Sequence, residues 1–202
     1  MLLCDIGNTS YHFLDSTKDY KESVSSFKPS SIKTEVFYIC VNSHVKKILQ
    51  DLENWIDLSS HVDMTNYYET MGIDRIVASQ AIKNGVIVDA GSAITVDVVK
   101  NGMFEGGFIY PGTDAMSKTY KDISPALDYP FNFKLDLHKL PKNSQDAISY
   151  GYLKTLYSEV TSYDMEIYLT GGDAKKLETL FENAEVDEML IFKGMKKIIS
   201  KM

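Results

Sequence analysis

Two aspartates at matching places in two short motifs are the first residues here that could do chemistry. Leu3-Cys4-Asp5-Ile6-Gly7-Asn8-Thr9 and Ile87-Val88-Asp89-Ala90-Gly91-Ser92-Ala93 share one form. Two apolar residues lead to Asp, then a small or apolar residue, then Gly, then small residues. A Gly at that place allows a tight turn whose N–H groups point outward at an oxyanion. Asn8, Thr9 and Ser92 add side-chain donors. An Asp closing an apolar strand is costly to desolvate unless a cation or donors meet it. One such Asp could simply organise its own turn. Two in matching positions favour a pair of phosphate loops whose acidic residues suit a metal–nucleotide complex.

Gly72-Ile73-Asp74-Arg75 stands where a helix should begin, and a helix N-terminus favours anions. Arg75 could clamp a carboxylate with two parallel bonds, and Asp74 could accept a proton from an attacking hydroxyl. The plainer alternative is a capping Asp beside a solvated Arg. Tyr67 and Tyr68, just upstream, could wall a pocket. Thr170-Gly171-Gly172-Asp173 lets a flat ring or a phosphate approach the backbone, or is only a tight strand-to-helix turn. Gly106 to Gly112 brackets a strand with glycines in the same ambiguous way. Other templates are missing: there is no Gly-x4-Gly-Lys-[Ser/Thr] loop and no Gly-x-Gly-x-x-Gly fingerprint. Four scattered histidines and two distant cysteines make no zinc site.

The elements that must position these residues alternate strand and helix. Residues 1–6 and 10–14 predict a hairpin around Gly7-Asn8, and 35–41 a buried strand. Helical spacing marks 43–56 and 73–83. The second half predicts strands at 85–91, 93–99 and 103–110, helices at 112–121 and 143–162, and a strand at 166–170. A helix at 172–182, a strand at 188–192 and a helix at 193–201 follow. The segment 123–142, with Pro125, Pro130 and Pro141, is too long for an ordinary connector and reads as a packed functional loop or a lid. The repeated Asp-x-Gly motif divides the 202 residues into two lobes of one design, over 1–84 and 85–202. Hydrophobic residues are 44% of the chain, enough for a core. A net charge of −7 argues against non-specific nucleic-acid binding. No apolar run approaches the ~18 residues of a membrane span and no signal peptide opens the chain, so the expected location is cytoplasmic. Cys4 and Cys40 are expected as buried free thiols.

In order, Asp5–Thr9, Gly72–Arg75, Val88–Asp97, Gly106–Gly112 and Thr170–Gly172 resemble the motifs of the type III pantothenate kinases. Any one is weak; the ordered set is specific and spans most of the chain. The resemblance implies an α/β fold of two ribonuclease-H-like, actin-like ATPase lobes with mixed sheets flanked by helices. It implies ATP-dependent phosphorylation of pantothenate, the first step of coenzyme A synthesis. Asp5, Ile6, Gly7, Asn8, Thr9, Ser10, Tyr11 and His12 would line the ATP phosphates, with Asp5 holding Mg²⁺ through water. Ser92, Gly171 and Gly172 would also meet the nucleotide. Asp74 would be the general base; Gly72, Ile73, Asp74, Arg75 and Tyr68 would bind pantothenate, Arg75 by its carboxylate. Asp89 would hold a monovalent cation, K⁺ or NH₄⁺, and Ser144 would reach pantothenate from the partner subunit of a homodimer. The helix at 143–162, with Ala147, Ile148, Leu153, Leu156, Tyr157 and Val160, could face that partner or be core. Ser92 and Ser144 replace the family's threonines, and the usual Tyr-x-Asn-Pro before Gly-x-Asp-Arg is absent. Two other readings fit the same lobes: a phosphohydrolase using water as nucleophile, or a non-catalytic regulatory protein. The acid beside Arg75 argues for the enzyme.

Overall fold

A computed structural model describes residues 1–16 and 18–202. In chain order it holds β1 (Leu2–Ile6), β2 (Ser10–Asp15), β3 (Lys18–Ser23), β4 (Val36–Cys40), α1 (Ser43–Leu49), β5 (Trp55–Asp57) and α2 (Ile73–Ala81). Next come β6 (Gly85–Ala90), β7 (Ala93–Lys100), β8 (Met103–Pro111), α3 (Thr113–Ile123), α4 (Ser144–Thr161), β9 (Ile167–Thr170), α5 (Ala174–Leu177), β10 (Glu185–Val186) and α6 (Leu190–Ile199). Two units form: residues 1–82 with 189–202, and residues 83–188.

The two sheets have one topology. The first runs β3-β2-β1-β4-β5 and the second β10-β9-β6-β7-β8, the same plan read from the other edge. In each, the unit's first strand is central, antiparallel to the second and parallel to a strand arriving after a crossover. Asp5 and Asp89 occupy the same station, the last residue but one of that central strand. The internal repeat read from the motifs is therefore a repeat of fold.

Alternate residues of the central strands supply one face of each core. In the first unit, Cys4 and Ile6 join Tyr11, Phe13, Val36, Tyr38 and Trp55, an aromatic-rich cluster in which Tyr11 and Phe13 stack. In the second, Val86, Val88 and Ala90 meet Ile94, Val96, Val98 and the buried face of α4. The expected helix over 43–56 is shorter: α1 ends at Leu49, and Trp55–Asp57 forms a strand beside β4. Just before that strand, Asn54 donates its side-chain amide to the carbonyls of Ile32 and Thr34 and anchors the chain there. The helix expected over 172–182 keeps only Ala174–Leu177. The strand expected at 188–192 is absent: Leu190–Phe192 open α6, and pairing beside β9 comes from Glu185–Val186. The segment 189–202, expected with the second lobe, groups with the first unit because α6 packs on α2. Both cysteines are buried and free. Among the described residues no helix is long and apolar enough to cross a membrane.

Candidate active site

The first phosphate-loop motif is a hairpin. Gly7 N–H donates to the Ser10 carbonyl at 3.0 Å, closing the β1–β2 turn and leaving Asn8 and Thr9 exposed at its tip. Ile6 and Tyr11 have their side chains in the core, so within Asp5–His12 these two can offer a ligand only backbone. Asp5 is half-buried and faces His12 across the ladder. His12 Nε2 lies 2.9 Å from Asp19 Oδ2, and this bond holds the Asp19 carboxyl below its usual range. Asn42 was missed by the motif reading. Its side-chain oxygen caps α1 through the N–H groups of His44 and Val45, and its amide donates to the Asn8 carbonyl at 3.3 Å. One residue thus ties the hairpin tip to the β4–α1 corner. An Asn directly before a helical pattern was the available signal.

The second constellation opens α2. Gly72 is its N-cap residue, and Asp74 Oδ1 accepts the Arg75 N–H at 2.8 Å. Gly72 is small for a reason: a Cβ there would lie 2.5 Å from Asp74 Oδ1. The missing side chain is the space in which the carboxylate sits. Burial raises the Asp74 carboxyl above its ordinary value, more than the Arg75 charge and the backbone bonds lower it. Such a carboxylate is a stronger base than one in water. Arg75 is buried at 6% exposure, so it is not the solvated Arg of the plainer alternative, and the N-cap is Gly72, with Asp74 bonding from within the first turn. Arg75 Nη1 donates to the Tyr68 hydroxyl at 2.5 Å, with its guanidinium 5.8 Å from that ring's centroid. Tyr67 instead pairs with Ser79 Oγ at 3.1 Å. The segment before α2 is thus pinned to the helix by two tyrosines, of which Tyr68 stands with Arg75.

In the second unit three glycine-bearing motifs converge. A Cβ at Gly112 would lie 2.5 Å from the carbonyls of Gly91 and Ser92, and Gly112 N–H donates to Ser92 O at 3.0 Å. A Cβ at Gly171, where φ is +87°, would lie 2.3 Å from Asp89 Oδ1. Asp173 N–H donates to Ala90 O, and Thr113 Oγ1 to Asp173 Oδ2, each at 2.9 Å. Ser92 is exposed at the β6–β7 turn and Gly172 at the β9–α5 turn. Asp89 is half-buried, flanked in register by Thr95 on β7 and Thr170 on β9. Thr95 Oγ1 is buried with no hydrogen-bond partner among the described residues.

Beside Asp173 lies a cavity of about 490 Å³ whose lining includes Thr113, Tyr129, Phe131, Phe133 and Lys176. The irregular segment 123–142 forms much of its wall. Leu137 of that segment is buried, Asn132 N–H donates to Ser149 Oγ, and Thr179 Oγ1 donates to Phe133 O. Of the two readings of this segment, the packed loop fits these anchors. Ser144 is exposed at the first residue of α4. Ile148, Leu153, Leu156 and Val160 belong to the second unit's core, so the apolar face of α4 gives no argument for a partner surface. Among the described residues no three His, Cys, Asp or Glu side chains cluster to hold a metal ion.

A family model for type III pantothenate kinases matches residues 30–163. A type III pantothenate kinase of Sulfurimonas denitrificans is 68% identical over 201 residues, spanning 100% of this chain and 98% of its own. The crystal structure of a conserved candidate Baf family transcriptional activator from Campylobacter jejuni is 42% identical. It covers 100% of this chain and 98% of that chain, with a TM-score of 0.89. Component A of the Acidaminococcus fermentans (R)-2-hydroxyglutaryl-CoA dehydratase shares the fold alone, with a TM-score of 0.53 at 11% identity over 98% of each chain.

Proposed function

The chain belongs to the type III pantothenate kinase family, and on that premise we propose which of its residues carry the transfer of the γ-phosphoryl group from ATP to pantothenate. Asp74 takes the proton of the primary hydroxyl as that oxygen bonds to the γ-phosphorus; the bond to the bridging oxygen breaks and ADP leaves. The single observation that carries this is the Asp74 carboxylate, half-buried, pushed above its ordinary value by desolvation and fixed in the space left by Gly72. Arg75, buried and braced by Tyr68, takes the pantothenate carboxylate. Gly72, Ile73 and the Tyr68 ring form the rest of the substrate wall. Holding the reactants in line does most of the work in a loose phosphoryl transfer.

The ATP phosphates are met by the backbone N–H groups and the Asn8, Thr9, Ser10 and His12 side chains of the first hairpin, and by Ser92. Gly171 and Gly172 take the adenosine end, in the same unit as the cavity walled by Phe131 and Phe133. The half-buried Asp5 carboxylate at the end of β1 fits Mg²⁺ that keeps its waters and binds mainly through phosphates. Around Asp89, the oxygens of Thr95 and Thr170 and the unpartnered Thr95 hydroxyl fit an oxygen-seeking K⁺ or NH₄⁺. When bound, these ions neutralise phosphate charge. A homodimer that shares its site through Ser144 is part of the same reading, supported by that residue's exposure; sedimentation at micromolar concentration tests it.

The deciding experiment follows nucleotide consumption and phosphopantothenate formation by wild type and Asp74→Asn. Wild type should consume ATP only with pantothenate, and the variant should lose about 10²–10⁴-fold in kcat while staying folded. Turnover within a fewfold of wild type would remove Asp74 as the base. Consumption without pantothenate would favour the hydrolase, and none under any condition the regulatory protein.

A further inference from the structure

The helix that carries Asp74 and Arg75 is held from behind by α6. Gly194 of α6 lies so close to α2 that a Cβ on it would be 2.0 Å from the Val77 carbonyl oxygen and 2.9 Å from Val77 Cγ1. Only a glycine allows that approach. Val77 is one helical turn beyond Asp74. At the far end of α2, Lys197 Nζ donates to the Ala81 carbonyl at 2.8 Å, meeting one of the acceptors that a helix C-terminus leaves unpaired. A third contact of α6 reaches the nucleotide hairpin: the Phe192 ring, fully buried, meets the His12 ring edge-on at 4.8 Å. All of these residues belong to the first unit.

We propose that α6 is the positioning element of the catalytic helix, with Gly194 and Lys197 as positioning residues that act through α2 on Asp74. The inference rests on the reading of Asp74 as the base. A helix of nine residues moves nearly as a rod, so a displacement at Val77 is handed to Asp74. Relief of a 2.0 Å contact to the ordinary C···O distance of about 3.3 Å needs a shift of roughly 1 Å. A misplacement of about 1 Å of a reacting group can cost on the order of 10²-fold in rate.

The test uses the full chain with Gly194→Ala, Lys197→Met and Lys197→Arg. Each is assayed for kcat, for KM of pantothenate and of ATP, and for folding by circular dichroism and thermal melting. Gly194→Ala is expected to lower kcat/KM for pantothenate on the order of 10²-fold while the ATP KM stays within threefold. Lys197→Met is expected to lower it a fewfold, and Lys197→Arg, which keeps the donor, to restore it. A purely structural role would lower the melting temperature of Gly194→Ala and leave the kinetics of the folded protein unchanged; that result overturns the proposal. If Gly194→Ala does not fold, unchanged kinetics in folded Lys197→Met overturns it alone. The underlying reading fails separately: an active Asp74→Asn removes the base whatever the α6 variants do.

Discussion

Replacing Gly72 by Ala adds one carbon and should disarm the site. The new Cβ would sit 2.5 Å from Asp74 Oδ1, against an ordinary C···O approach of about 3.3 Å, so the carboxylate must move by about 0.8 Å. That motion breaks the 2.8 Å bond from the Arg75 N–H. Hydrogen bonds to charged groups contribute about 1.5–3 kcal/mol, which at 1.36 kcal/mol per decade predicts a loss of roughly 10- to 10²-fold in kcat/KM for pantothenate. Ala in place of Gly at a helix N-cap adds a destabilisation of the order of 1 kcal/mol, or about 2–4 °C in Tm at this chain length. The assay is ADP release with pantothenate varied at saturating ATP, then with ATP varied. The loss should appear with pantothenate, and the ATP KM should hold. A kcat/KM for pantothenate within threefold of wild type, in a protein shown to carry the substitution, would refute the claim that Gly72 makes room for the base.

Four other outcomes follow from the same geometry. Arg75→Ala should weaken pantothenate by about 2–5 kcal/mol and leave an amide analogue lacking the carboxylate nearly unaffected; equal losses in competition binding would count against the clamp. Burial raises the Asp74 carboxyl, so the acid limb of kcat/KM should lie above the ordinary value of 3.8, and an acid limb at or below it would contradict a buried base. The native state also binds that proton more tightly than the unfolded chain. This group's stability is therefore complete below about pH 3.8 and falls as pH rises through the folded value. Asp74→Asn should accordingly melt higher than wild type at pH 7, and a lower melting temperature there would contradict the cost of the buried charge. Replacing Na⁺ by K⁺ at constant ionic strength should lower the ATP KM, and Asp89→Asn should abolish the difference; no change in wild type removes the cation from the Asp89 site.

Local chemistry was legible in the sequence and distant packing was not. Asp-x-Gly, Gly-x-Asp-Arg and Thr-Gly-Gly are turn and cap signatures, fixed by residues within a few positions, and each stands at the strand end or helix start that its spacing implied. The duplicated motif foretold the duplicated sheet order. β3 escaped notice because its six residues, Lys18–Ser23, are all exposed and carry no apolar alternation. The apolar run Leu190-Ile191-Phe192 suits a strand or a helix equally by pattern, and its packing in the first unit decided for helix. Asn42 and Gly194 matter through partners far along the chain, Asn8 and Val77, which no local window contains.

The grouping of α6 with the first unit has a consequence for how the chain is made. The second unit is one continuous stretch, 83–188, whereas the first is completed only by residues 189–202. On the ribosome, α2 emerges well before the helix that packs on it. At about 5–20 residues per second, the roughly 100 residues between them take about 5–20 s to synthesise. During that interval the Val77 carbonyl lacks its Gly194 neighbour and the second unit is free to fold. Nascent chains stalled with α6 still inside the exit tunnel should therefore resist protease over 83–188 while α2 is cut, and release of α6 should protect it. Equal protection of both stretches before α6 emerges would show that the first unit closes without it.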